Sequence, residues 1–225
     1  MTFVLVPGAG GDAWYWHRVV PLLEAAGPVV AVDLPTGEED AGLSEYADAI
    51  VAASGSATGV SLVAHSMGAF SAPLAVDRLD VRRIVLVNAM VPTPGETAGE
   101  WWDSVGQPGA RAEHERVEGR DPDAPFGVEE GFFHDVPPEV TAEAMSRGEI
   151  QQADKPFGEP WPLDAWPDVP TTAITGRDDR MFPEELQRRY LGDRLGIEPT
   201  VIHGGHLVAL ANPEGLVEVL LRAAD

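Results

Sequence analysis

Four short runs constrain this chain more than anything else in it: "PVVAVDLP" (28–35), "GVSLVAH" (59–65), "RRIVLVNA" (82–89) and "TTAITG" (171–176). Each is a near-continuous stretch of apolar and β-branched residues. None alternates apolar with polar, as a strand with one wet face would. Such strands are buried on both sides. Between most of them lie stretches with helical spacing or helix punctuation. These include "WHRVVPLLEAAG" (16–27), "LSEYADAIVAASG" (43–55) with Ser44 as its expected N-cap, and "MGAFSAPLAVDRL" (67–79). A helix is also expected around 183–195 and another in "NPEGLVEVLLRAA" (212–224). With "TFVLV" (2–6) and "EPTVIHG" (198–204), six strands are expected. Strands alternating with helices give an α/β fold: a mostly parallel sheet with helices on both faces.

The alternation stops between 90 and 165, a stretch rich in Pro, Gly and acid. Residues 1–89 and 166–225 are read as one core, and 90–165 as an inserted lid, or cap, at the C-terminal edge of the strands. Ligands bind at that edge in open α/β sheets. The whole is expected to be one structural domain.

Charge and cysteine content narrow the function. Fifteen basic residues against 37 acidic ones leave a net charge of −22, so nucleic acid and anionic membranes are not expected partners. No apolar run approaches the roughly 18–20 residues that cross a bilayer. The opening "MTFVLVPGAGG" lacks a basic leader and reads as a first strand. A cytoplasmic location is the expectation. The absence of cysteine removes disulfides, thiolate metal sites and a cysteine nucleophile.

The chemistry concentrates in "SLVAHSMGAF" (61–70). A strand, a serine at a sharp turn and then a helix make a nucleophile elbow, here Ala64-His65-Ser66-Met67-Gly68. The turn lifts the Ser66 hydroxyl clear of the sheet and leaves the Met67 N–H free to hold an oxyanion. A serine needs a base. Of six histidines, His206 follows the last strand behind two glycines and is the chosen base; His203, at the end of that strand, is expected to be structural, and His65 to point away from the serine. "TGRDDRMFP" follows the preceding strand and offers the acid, Asp179 in preference to Asp178. The chain order Ser66, Asp179, His206 is the one used when a serine elbow is built on an α/β sheet. The second oxyanion donor is assigned to the Ala9 N–H, in the glycine-rich loop after the first strand.

That loop has a competing reading. Gly8-Ala9-Gly10-Gly11-Asp12-Ala13, with Asp33 ending the second strand, fits a dinucleotide fingerprint. An NAD(P)-dependent oxidoreductase is the rival enzyme, but it leaves Ser66, Asp179 and His206 without a role. The only lysine, Lys155, has Gln151 four places earlier, where a short-chain dehydrogenase would have tyrosine.

Taken together, these motifs resemble the α/β-hydrolase family over nearly the whole chain. They are most similar to the small methylesterase and hydroxynitrile lyase subgroup. "VLVPGAGGDAWYW" resembles that subgroup's "VLVHGAxxxAWxW" opening, with Pro7 in place of histidine, and "GGHLVALANP" matches as well. Lyases of the subgroup carry threonine at the position of Gly8 and lysine at that of Leu207, so the resemblance implies ester hydrolysis. It implies a serine hydrolase that cleaves small carboxylic esters through a covalent acyl-enzyme, with no metal or organic cofactor. A small-ligand receptor with slow turnover on the same fold is the other class left open. The 90–165 stretch holds seven of the 16 aromatic residues. Trp101, Trp102 and Phe132 from it, with Trp14 and Leu207, are expected to line the substrate pocket.

Overall fold

The computed structural model describes residues 1–222. Six strands form one sheet in the order β2-β1-β3-β4-β5-β6, and every neighbouring pair is parallel. They are β1 (Thr2–Val6), β2 (Val29–Ala31), β3 (Val60–His65), β4 (Val81–Val87), β5 (Thr171–Gly176) and β6 (Thr200–Ile202).

The two-residue period of a strand divides the apolar runs between two cores. Val4, Val6, Leu62, Ala64, Ile84 and Leu86 face one, packed with α2 (Leu43–Ser54), α3 (Gly68–Ser71) and α9 (Glu184–Leu195) through Ile50, Phe70 and Leu186. Phe3, Leu5, Val63, Val85 and Val87 face the other, against Trp16 and against Leu216 and Leu220 of α11 (Pro213–Arg222). Each fully buried aliphatic side chain contributes about 1.5–3 kcal/mol to keeping these layers together.

Local chemistry shortens several expected elements. The first helix is one turn, α1 (Val20–Leu23), after a 3-10 turn at Ala13–Trp16; Pro21, in its first turn and without an N–H, keeps the two from joining in one α ladder. Pro73 has no N–H to continue an α ladder, so α3 passes into a 3-10 stretch at Ala72–Arg78. Ser44 is not the N-cap of α2: Gly42 is, and the Glu45 carboxylate accepts the Gly42 N–H at 2.7 Å. The expected final helix is described as far as Arg222; its last two residues, 223 and 224, lie outside the described residues.

Residues 90–165 carry five helices: α4 (Ala98–Ser104), α5 (Gln107–Val117), α6 (Val128–Phe132), α7 (Pro138–Ser146) and α8 (Lys155–Gly158). A capping box starts α4, with Thr97 Oγ1 accepting the Glu100 N–H and Glu100 accepting the Thr97 N–H. The two ends of the segment are tied together: Gly95 N donates to Trp161 O, and Trp161 N to Glu96 O. Trp161 is buried and donates its indole N–H to Phe70 O. Among the described residues, no helix is long and apolar enough to cross a membrane.

The remaining helix, α10 (Val208–Ala211), follows directly on the turn that carries His206. The parallel sheet delivers the ends of β1, β3, β5 and β6 to one edge, and the candidate residues sit there.

Candidate active site

Ser66 follows β3 with a φ of 49°, a left-handed conformation that a non-glycine residue rarely adopts. Its neighbours hold it there. Ser66 N donates to Val87 O at 3.1 Å, and Ser66 O accepts the Met90 N–H at 3.0 Å. Two glycines let the β1 loop lie against this corner: a Cβ on Gly68 would come within 2.6 Å of Pro7 O, and one on Gly8 within 2.8 Å of Ser66 Cβ. At the first small position of the elbow, Ala64 fits inside the core at the end of β3.

Three side chains from three strand ends converge. Ser66 Oγ lies 3.1 Å from His206 Nε2, and His206 Nδ1 lies 2.8 Å from Asp179 Oδ2. A carboxylate only accepts, so Nδ1 carries the ring proton and Nε2 offers its lone pair to the serine hydroxyl. The other Asp179 oxygen accepts the N–H groups of Met181 and Phe182 at 2.8 and 2.9 Å. All three residues are buried. Asp178 has a different partner: its Oδ2 accepts the Gly204 N–H at 3.0 Å, two residues before His206. His203 lies outside the constellation, exposed beside Arg177.

Ala9 and Met67 both line the cavity that holds Ser66, and among the described residues no protein acceptor takes the N–H of either one. The cavity measures about 780 Å³ and is mostly apolar. Trp14, Trp102, Phe132 and Leu207 line it. Trp101 does not. It is buried in the core, donates its indole N–H to Val91 O, and packs edge-on against Phe182 and Tyr190. On α4 successive residues point about 100° apart, and here that step turns Trp101 into the core and Trp102 toward the cavity.

Residues not singled out from the sequence complete the site. Met90, Met145 and Met181 line the walls, beside Phe157, one of the seven aromatic residues of 90–165. Flexible methionines next to aromatic rings give no periodic signal in a sequence. Arg147, from just beyond α7, pairs with Asp12 at 2.6 Å and lies over the Trp14 ring. The Trp14 indole N–H donates to Glu143, and Gly10 N donates to Gln152 Oε1. Four contacts therefore join the 90–165 segment to the β1 loop across the cavity mouth. His65 does not reach Ser66; its Nε2 donates to the backbone carbonyl of His206 at 3.0 Å.

The dinucleotide reading of the β1 loop fails on its own residues. Asp33 Oδ1 accepts the Ala13 N–H at 2.8 Å, and Asp12 caps the 3-10 turn by accepting the Trp14 N–H. The loop is folded onto Ser66 rather than open around a pyrophosphate.

Residues 3–219 match the family described as the alpha/beta hydrolase family. The chain belongs to the alpha/beta hydrolase family. Among its relatives in that family, a probable esterase, PIR7A, of Oryza sativa subsp. indica is 28% identical over 99% of this chain and 96% of its own length. Methylesterase 7 of Arabidopsis thaliana is 40% identical over a shorter match, 40% of each chain. Two solved hydrolase structures share the fold: a pyrethroid hydrolase from Sphingobium faniae (24% identity, TM-score 0.78, covering 100% of this chain and 97% of that one) and polyneuridine aldehyde esterase (22%, TM-score 0.75, 100% and 99%).

Proposed function

We propose that this alpha/beta hydrolase cleaves carboxylic esters of small, uncharged, largely apolar molecules through a Ser66-His206-Asp179 triad. The observation that carries the reading is the run of hydrogen-bond distances, 3.1 and then 2.8 Å, from serine to imidazole to carboxylate at the floor of an apolar cavity. Full-length relatives named as esterases support it.

In the first half-reaction Ser66 Oγ attacks the ester carbonyl as its proton passes to His206 Nε2. The carbonyl oxygen becomes an oxyanion held by the Ala9 and Met67 N–H groups. Each such donor is worth a factor of about 10²–10³ in turnover. The tetrahedral species collapses, His206 protonates the departing alcohol, and the acyl group stays on Ser66. Water then gives a proton to His206 and attacks the acyl carbon. The acid leaves and the proton returns to Ser66. Asp179 keeps Nδ1 protonated throughout and stabilises the imidazolium.

Within 90–165, the stretch from Val128 to Gln152 acts as the lid. It supplies Phe132, Met145 and Arg147 to the cavity and touches the β1 loop at Gly10, Asp12 and Trp14. The β4 side of the segment, with Trp101, belongs to the hydrophobic core. Asp12 and Arg147 neutralise one another at the rim, which favours uncharged substrates. A turnover screen of p-nitrophenyl and methyl esters over acyl chain length tests the reading, with Ser66→Ala as blank. Hydrolysis is expected for apolar acyl groups and not in the blank; equal rates in the two proteins would overturn it.

A further inference from the structure

Two buried amides behind the site have no part in the steps above. Asn88 follows β4 with a φ of 44°, the only non-glycine residue besides Ser66 with positive φ among the described residues. Gln187 lies on α9. Both are completely shielded from solvent, and both use their hydrogen-bonding groups on the elements that carry His206 and Asp179.

Asn88 Nδ2 donates to the carbonyls of Gly205 and His206, each at 3.0 Å. Asn88 Oδ1 accepts the Gly176 N–H at 2.7 Å and faces Gln187 Nε2 at 3.3 Å. One side chain thus spans the end of β5 and the turn after β6, with every donor and acceptor site of its amide occupied. Gln187 Nε2 donates to Phe182 O at 2.7 Å and lies 3.3 Å from Asp179 Oδ2, the oxygen that faces His206. Its Oε1 accepts the Thr175 hydroxyl at 3.0 Å.

We propose that Asn88 and Gln187 are positioning residues, a linked amide pair that fixes the His206 turn and the Asp179 carboxylate relative to each other. This rests on the triad reading above. The strained backbone at Asn88 fits the role. Such conformations persist where surrounding bonds over-determine them, and asparagine adopts this one more readily than most residues. Neither amide borders the substrate cavity, so both act through other residues.

Several titratable groups already surround His206. Asp179 bonds the ring, Asp178 and Asp135 hold the Gly204 and Gly205 N–H groups, and His65 holds the His206 carbonyl. Farther out are His134, near Asp135 and Arg180, and Tyr15 and Tyr190, both kept neutral by burial. Gln187→Glu puts a second carboxyl of nearly the same shape beside Asp179 Oδ2, where burial and the neighbouring carboxylate favour its protonated form. Asn88→Gly keeps the positive φ and deletes the amide.

The test is the pH profile of kcat and KM for a p-nitrophenyl ester in the parent, Gln187→Glu and Asn88→Gly, with Ser66→Ala as control. For Gln187→Glu the pH profile of kcat/KM is expected to be displaced by a pH unit or more, because a second carboxyl beside Asp179 Oδ2 shares either its proton or its charge with the carboxylate that holds His206. For Asn88→Gly, kcat and the rate of phosphonate labelling of Ser66 should fall together by 10-fold or more with KM within threefold. Gln187→Glu carries the decision if Asn88→Gly does not fold. A Gln187→Glu profile that superimposes on the parent's, in a Ser66-dependent enzyme, overturns the positioning role. Undiminished activity in Ser66→Ala would instead remove the triad reading beneath it.

Discussion

His65 Nε2 donates to the carbonyl oxygen of His206 at 3.0 Å, and the two rings lie 4.9 Å apart. The residue before Ser66 thus supports the backbone of His206. Burial, reinforced by the neighbouring His206 and opposed by the bond to its carbonyl, holds the His65 pKa well below the ordinary 6.5. Folded protein therefore keeps His65 neutral where an unfolded chain would protonate it. Stability from this group is complete above about pH 6.5 and is lost as pH falls from there toward the folded value. The slope reaches at most about 1.4 kcal/mol per pH unit for the one proton. Thermal unfolding between pH 8 and 5 should show this decline, and His65→Gln, which keeps a donor of similar reach, should flatten it. Identical slopes in the two proteins would contradict the assignment.

Adjacent tryptophans should separate stability from specificity. Trp101→Ala empties a fully buried core position and should cost about 3–5 kcal/mol in denaturant titration. Trp102→Ala opens the cavity wall instead. Its expected effect is a severalfold drop in kcat/KM for bulky aromatic esters, with a smaller loss of stability. The reverse pattern would mean that the two rings have been assigned to the wrong sides of α4.

Arg147 tests the lid contact. A half-exposed ion pair contributes only about 0–1 kcal/mol, so Arg147→Ala should leave Tm nearly unchanged. It removes the bond to Asp12 and the cation over Trp14. KM for long-chain esters is expected to rise about three- to tenfold while kcat for a short acetyl ester stays within twofold. No change in KM for any ester would separate the 128–152 stretch from substrate binding.

Glu96 and Arg194 provide an acid-sensitive clamp between the start of the 90–165 segment and α9. Burial pushes the Glu96 pKa up, but bonds from Arg194, the Ser104 hydroxyl and the Thr93 N–H outweigh it, and the net shift is downward. Its stabilising contribution is present above the ordinary carboxylate range and is lost as pH falls through the folded value. Arg194→Met strands a buried carboxylate and should cost about 3–5 kcal/mol near neutral pH. A loss below 1 kcal/mol would show that the pair is not clamping the segment.

The sheet was legible because each buried strand is a continuous apolar run, a pattern a helix of that length does not need. That Ser66, Asp179 and His206 come together was legible because each sits just beyond a strand, where a parallel sheet gathers its ends. Asp179 could be preferred to Asp178 but not separated from it, since one step along a turn redirects a carboxylate toward His206 or toward Gly204. Trp101 was misplaced for the same reason: one step along α4 separates it from Trp102 and turns it into the core. Asn88 and Gln187 gave no signal, and for His65 only its turning away from Ser66 was expected: their bonds reach backbone carbonyls and side chains up to 141 residues away, which no local spacing encodes.

The most direct measurement is peptide mapping of the protein after titration with an ester-like phosphonate, run alongside loss of p-nitrophenyl ester turnover. One phosphonyl group per chain on Ser66, appearing in step with the loss of turnover and much more slowly in His206→Ala, is the expected result. Turnover that survives complete modification of Ser66, or inactivation that maps to another residue, would contradict it.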